Sequence, residues 1–199
     1  MSVFKSTRRR RGTAKSATPA SLPLTVSRRA LLEVGSDRRF RTLVHDLLTI
    51  SSRMEIVRGH LGARMGVSGP QYSLLVAVAH IQGETGASVS ALAKALHVSS
   101  AFVASETGKL AQRGLLLKRT NPHDRRGVLL SIAPAGRTEI TRIGAEIRAI
   151  NDLFFGALDV KAFVALSAAV GSLVVSSRKA VQYINAGARV HHAVLEAAE

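Results

Sequence analysis

SVSALAKALHVSSAFVASETGKLAQRGLLLKRTNPHDRRGVLLSI, residues 88–132, is the stretch that decides the fold. It reads as two short helices followed by a β-hairpin with a basic tip. Ser88 is a good N-cap before the apolar-periodic run Val89, Leu92, Ala93 and Leu96. His97-Val98-Ser99 breaks that run, and Ser99 is placed to cap a second helix. That helix is expected to turn Phe102, Val103 and Leu110 inward and Ser100, Ser105, Glu106 and Lys109 outward. Gly114 falls just past its end, where a left-handed C-cap costs least. Leu115-Leu116-Leu117 and Val128-Leu129-Leu130-Ser131-Ile132 are apolar runs of strand length. The polar segment between them is punctuated as a turn by Pro122 and Gly127.

Two helices joined by a short turn form a helix-turn-helix, whose second helix fits the major groove of DNA. A hairpin tip carrying guanidinium groups reaches phosphates or a narrow, electronegative minor groove. This stretch resembles the winged helix-turn-helix of the MarR family of bacterial transcription regulators. The residues that carry the resemblance are Leu92-Ala93, Val103, Leu110, Gly114-Leu115, Lys118-Arg119, Asp124-Arg125-Arg126 and Pro134-Ala135-Gly136. It extends over residues 37–184 in architecture and is specific across residues 88–136.

The resemblance implies a mainly α fold with a small β-hairpin wing, flanked by long N- and C-terminal dimerisation helices. Residues 1–35 are then a disordered basic arm, 36–66 and 134–190 a helical dimerisation region, and 67–133 the DNA-binding domain. It also implies that Asp124 braces the wing and that Arg126 enters the minor groove. The expected DNA-binding residues are Ser88, Ser99, Ser100, Ser105, Lys109, Arg119, Asp124, Arg125 and Arg126. Ser88, Ser99, Ser100 and Ser105 also have a plainer reading as caps and solvated positions. An effector pocket between the first long helix, the second helix and the DNA-binding lobe would draw on Met54, Arg58 and Tyr72. Arg58 would pair with a carboxylate such as an aromatic acid. The alternative, that these three are core packing and a surface arginine, stays open. The family often has a Thr/Ser-Arg pair where this chain has Ala104-Ser105, and a small polar residue where it has Phe102. The second helix offers only Gln112 among the usual bidentate base readers.

The chain has 199 residues, 46% hydrophobic, with a formal net charge of +15. That balance favours nucleic acid or an anionic surface as partner. Lys5, Arg8 to Arg11, Lys15, Arg28 and Arg29 precede the first acid, Glu33, so +8 of the charge sits in the leading segment. Such an arm would attract phosphates without sequence choice; a misplaced start codon is the plainer alternative. The absence of cysteine excludes disulfides, thiolate metal sites and cysteine redox sensing. On sequence no apolar run reaches the length of a bilayer span, and no apolar h-region follows the basic start. A cytoplasmic, nucleoid-associated protein is expected. The histidines, including the adjacent His191 and His192, lack metal-ligand spacing. No nucleophile triad, phosphate loop or paired carboxylates stand out, so neither an enzyme, a metal nor a cofactor is expected.

On both sides of the central stretch lie long apolar stripes. Phe40, Leu43, Leu47, Ile50, Met54, Val57 and Leu61 step by three and four along one helix. Gly62, Gly66 and Gly69-Pro70 end it, and Tyr72, Leu75, Val76 and Ala79 mark another. Pro134 is placed as an N1 proline. Ile140, Ile143, Ile147, Ile150 and Phe154 follow, residues 156–159 interrupt, and Phe163, Leu166, Val170, Leu173, Val174, Val181 and Ile184 make the last helix. Paired with a second copy, these stripes would hold two wings at a fixed separation on a palindromic site. The expected function is a sequence-specific regulator of double-stranded DNA, a dimeric repressor released by a small effector. The alternative is a low-specificity, nucleoid-type DNA-coating protein.

Overall fold

The structure, a computed structural model, describes residues 23–122 and 124–196. The helices are α1 (Arg38–Arg64), α2 (Gly69–Ile81), α3 (Val89–Leu96), α4 (Ser100–Gln112), α5 (Pro134–Arg142), α6 (Gly144–Phe155) and α7 (Val160–Glu196). The strands are β1 (Ala87–Ser88), β2 (Leu116–Asn121) and β3 (Asp124–Ile132). The chain divides after Met54, inside α1, into two compact units.

In the first unit Asp37 organises the entry to α1. Its carboxylate is 2% exposed and accepts from both the backbone N–H and the hydroxyl of Thr25, each at 2.7 Å. Arg41, one turn on, pairs with the other oxygen at 2.9 Å. Those bonds from Thr25, and the Arg41 charge, hold the Asp37 pKa below the ordinary carboxylate value. Residues 23–35, expected on sequence to end a disordered arm, therefore carry defined structure. They form a 3-10 turn, Arg29–Leu31, and an antiparallel bridge between Glu33 and Ser36. Composition alone does not show that Asp37 supplies an acceptor twelve residues downstream of Thr25. The arm's residues 1–22 lie outside the described residues. Along this part of α1, Leu43, Leu47, Ile50 and Met54 of the predicted stripe are exposed.

The second unit builds the core. Ser68 and Gln71 form a reciprocal capping box with Pro70 in the first turn of α2, which fixes where that helix starts. Gly62 is needed at the preceding turn, because a Cβ there would stand 2.9 Å from the Ser68 carbonyl. Leu61, Leu74, Leu75, Val78, Leu92, Val103, Leu110, Leu116 and Leu130 are buried together in one cluster. Full burial of each such side chain is worth about 1.5–3 kcal/mol.

The sheet has the order β1-β3-β2, all antiparallel. β1 is absent from the sequence expectation; its two residues pair Ala87 with Leu130 and Ser88 with Leu129. A strand this short has no periodicity to read, and only the partner strand defines it. The wing's register runs from Leu116–Ile132 to Thr120–Val128 and then slips to Asn121–Asp124 at the tip. Pro134 opens α5 as expected. The stripe that follows is split at Ile143, whose φ of −92° and ψ of 4° separate α5 from α6 while its side chain is 2% exposed.

Apart from the half-buried Ala162, α7 is exposed along its described side chains. By length and composition Val160–Gly187 is apolar enough to cross a membrane, which corrects the sequence expectation that no run reaches that length. Its uncharged core, residues 162–177, has 16 residues between Lys161 and Arg178. At about 1.5 Å per residue that is about 24 Å, short of the ~30 Å hydrocarbon layer.

Gly136 is the tightest backbone approach in the second unit: a Cβ there would stand 2.2 Å from the Leu115 carbonyl oxygen. That carbonyl accepts from the Ala133 N–H at 3.1 Å and cannot easily retreat. Gly136→Ala is expected to lower stability by about 1–3 kcal/mol through overpacking. Gly59→Ala, inside α1 with nothing within 4 Å of its Cβ, should raise it by roughly 0.5–1 kcal/mol. Urea unfolding of the two variants checks the opposite signs.

Candidate nucleic-acid interface

Each helix of the helix-turn-helix is capped by the serine expected to cap it. Ser88 Oγ accepts from the Ala91 N–H and Ser99 Oγ from the Phe102 N–H, both at 3.1 Å. The turn between them is made by His97 in the left-handed conformation, φ 55° and ψ 40°. Histidine is among the residues that tolerate this region. The Val98 N–H then reaches the Ala93 carbonyl at 3.1 Å. Gly114, at φ +71°, ends the loop after α4 as expected.

Val103, Thr107 and Leu110 form the inward face of α4 and have no exposed surface. The Thr107 hydroxyl donates back to the Val103 carbonyl at 2.6 Å, so its polarity is met within the helix. Two residues depart from expectation. Phe102, expected inward, is 38% exposed, because at about 100° per residue it sits a quarter-turn off the row that Val103 and Thr107 occupy. Glu106, expected outward, is folded against the body with its side chain 13% exposed. Its carboxylate accepts from Lys109 Nζ at 2.6 Å and from Gln71 Nε2 at 2.9 Å. Those two bonds hold the Glu106 pKa below its usual value. Lys109, an expected DNA contact, is therefore engaged by Glu106. Ser100 and Ser105 are exposed on α4.

In the wing, the Arg119 guanidinium donates to the carbonyl of Thr85, tying β2 to the loop before β1. Asp124 opens β3, and a Cβ on Gly127 would lie 3.2 Å from both its carbonyl oxygen and its Oδ2. The carboxylate thus folds back over the tip. Arg125 and Arg126 are placed in β3 by their backbone; their side chains lie outside the described residues.

Two ties that the sequence does not announce frame this lobe. Arg113, just past α4, donates to the Gly66 carbonyl, and Arg142 Nη2 donates to the Arg64 carbonyl at 2.7 Å. Both satisfy acceptors near the C-terminal end of α1, where carbonyls lack helical partners and cations are favoured. Glu146 accepts from His60 Nε2 at 2.7 Å and from Arg64 Nε at 2.9 Å. No short-range pattern joins residues 82 or more positions apart, as those of this pair are.

The expected effector residues are placed as follows. Tyr72 is buried in the core, and burial raises its pKa. Arg58 donates to Ser73 Oγ at 3.0 Å and pairs with Glu55. Met54 falls in the first unit and is exposed.

A short capped helix pair, an outward second helix and a two-stranded wing define this chain as a winged helix-turn-helix protein. The MarR family model matches residues 65–127. Solved structures with the same fold include a MarR transcriptional regulator from Methanosarcina mazei, at 14% identity. It covers 70% of this chain and 98% of its own length, with a TM-score of 0.58. MepR of S. aureus, solved as a DNA complex, is 15% identical over 67% of this chain and 96% of that one, with a TM-score of 0.57. BpsR of Bordetella bronchiseptica, whose DNA binding is described as regulated by 6-hydroxynicotinic acid, is 22% identical. It covers 67% of this chain and 98% of its own, with a TM-score of 0.55. A search of curated protein sequences finds no match.

The Glu106 bolt has a pH signature. Its pKa is lower folded than unfolded, so the bond stabilises the fold fully above about 4.5 and is lost as pH falls through the folded value. Thermal melts from pH 7 to pH 3 should show a decline beginning near pH 4.5. Glu106→Gln should melt lower than the parent at pH 7 and decline less steeply below pH 4.5. Parallel curves would remove Glu106 from the account.

Proposed function

We propose that this protein is a dimeric, sequence-specific regulator of transcription that binds double-stranded DNA, a cytoplasmic repressor released by a small effector. The observation that carries the reading is the winged helix-turn-helix itself: α4 clamped along one face, its other face open, and a basic hairpin beside it. MepR, solved on DNA, supports the use of this fold on a duplex. A second copy of the chain is the occupant assigned to the exposed apolar rows. Leu43, Leu47, Ile50 and Met54 on α1, and Leu166, Val170, Leu173 and Ile184 on α7, are each exposed among the described residues. Apolar area on this scale marks an interface. The charged residues that bracket 162–177 favour a protein mate over a bilayer. A two-fold mate would space two recognition helices about 34–36 Å apart, one turn of DNA.

Binding should survive a large excess of random DNA for the parent protein and fall with Arg126→Ala, with a salt slope flatter by about one. Leu173→Asp should sediment as a monomer and lose the same binding. Gel shifts and sedimentation velocity check both. Parent binding that random DNA competes away would favour a low-specificity DNA-coating protein instead.

The effector reading centres on Arg58. Among the described residues its Nε is buried without a hydrogen-bond partner, while its other nitrogens hold Ser73 and Glu55. A carboxylate ligand displacing Glu55 would complete that guanidinium. BpsR, with 6-hydroxynicotinic acid, supports an aromatic acid as the class. Calorimetry against a panel of aromatic acids should find one that binds the parent and not Arg58→Ala; no heat from any would remove the effector.

A further inference from the structure

We propose that Phe102, with Ala101 beside it, recognises thymine through its 5-methyl group in the major groove; the inference rests on the DNA-binding reading above. α4 presents to solvent Ser100, Ala101, Phe102, Ala104, Ser105, Lys109 and Gln112. No arginine or asparagine stands in the helix, and its one lysine is held by Glu106 at 2.6 Å. The first turn, which meets base edges in this motif, is therefore apolar apart from Ser100. Phe102 occupies the third position of α4, and its N–H is held by the Ser99 cap, so the ring starts from a fixed backbone. Ser105 and Lys109 follow it at three and seven residues, on the same flank.

An aromatic ring left 38% exposed, with serine and alanine as its neighbours on the outer face of the first two turns, is not used by the core, where Val103, Thr107 and Leu110 fill the inward row. In the major groove the 5-methyl of thymine is the apolar feature of the base edges, and alanine and phenylalanine are among its usual contacts. Burying one methyl is worth about 0.8 kcal/mol, about fourfold in affinity. Selectivity would come from such increments, summed over two half-sites, rather than from bidentate hydrogen bonds.

The test uses the full chain and duplexes selected by it from a random synthetic library, which contains no 5-methylcytosine. The best duplexes are remade with deoxyuridine in place of each thymidine, which removes the methyl and leaves the hydrogen-bonding edge intact. We expect thymines at symmetric positions whose replacement lowers parent affinity about fourfold each. Phe102→Ala should bind thymidine and deoxyuridine duplexes alike and keep the parent melting temperature. Phe102→Leu should keep part of the discrimination. Selected duplexes that the parent binds equally well with deoxyuridine throughout would overturn the thymine inference and leave the regulator reading standing. A library from which the parent enriches no sequence would overturn both.

Discussion

Three side chains without exposed surface, Val103, Thr107 and Leu110, set the rotation of α4 about its own axis. Packing against α2 and α3 leaves those positions no alternative partner, since exposing a buried leucine or valine costs more than any surface contact on the other face returns. Everything the helix can offer a duplex follows from that rotation. Ser100, Ser105 and Phe102 are outward because the inward row is taken. Glu106, at the edge of the row, is drawn in and fastened to Gln71, which is itself half of the capping box that starts α2. The helix that would read DNA and the helix behind it are thus joined by one amide–carboxylate contact as well as by apolar packing.

The cations tell a second story. A net charge of +15 suggests a surface crowded with groups for phosphate. Several are spent on the protein itself. Arg113, Arg119 and Arg142 each donate to a backbone carbonyl, and Lys109, Arg58 and Arg64 pair with carboxylates. These bonds hold the turn after α1, the wing base and the start of α2 in fixed relation within the second unit. Exposed pairs of this kind add little stability each. Their effect is positional: a wing tied through Arg119 to Thr85 presents its tip from a defined base.

α1 and α7 carry the opposite imbalance: among the described residues, each leaves a row of apolar side chains exposed. For a chain of this size, leaving such rows in water is costly, and the association proposed above would recover that cost. The same association would convert one recognition helix into a symmetric pair, so that oligomerisation and site geometry depend on one set of side chains. Asp37 matters here for a local reason: by fixing Thr25, it starts α1 cleanly at Arg38.

Much of this was legible without coordinates. Ser88, Ser99, Gly114 and Pro134 are caps and stops whose chemistry is local, acting within one turn of the chain, and each stands where it was expected. The winged helix was readable for the same reason: two capped apolar periods, a Gly-Leu step, a turn and an Asp-Arg-Arg tip are all near neighbours in sequence. What tertiary structure alone decided was every pairing between distant residues. β1 exists only because β3 lies beside it, and Phe102 is outward only because Val103 claims the core. Glu106 finds Gln71 across 35 positions, and Asp37 orders a segment that composition marks as disordered. Local propensity and capping are short-range and leave their mark on consecutive residues; burial and long-range hydrogen bonds depend on which surfaces meet, and no stretch of sequence records that by itself.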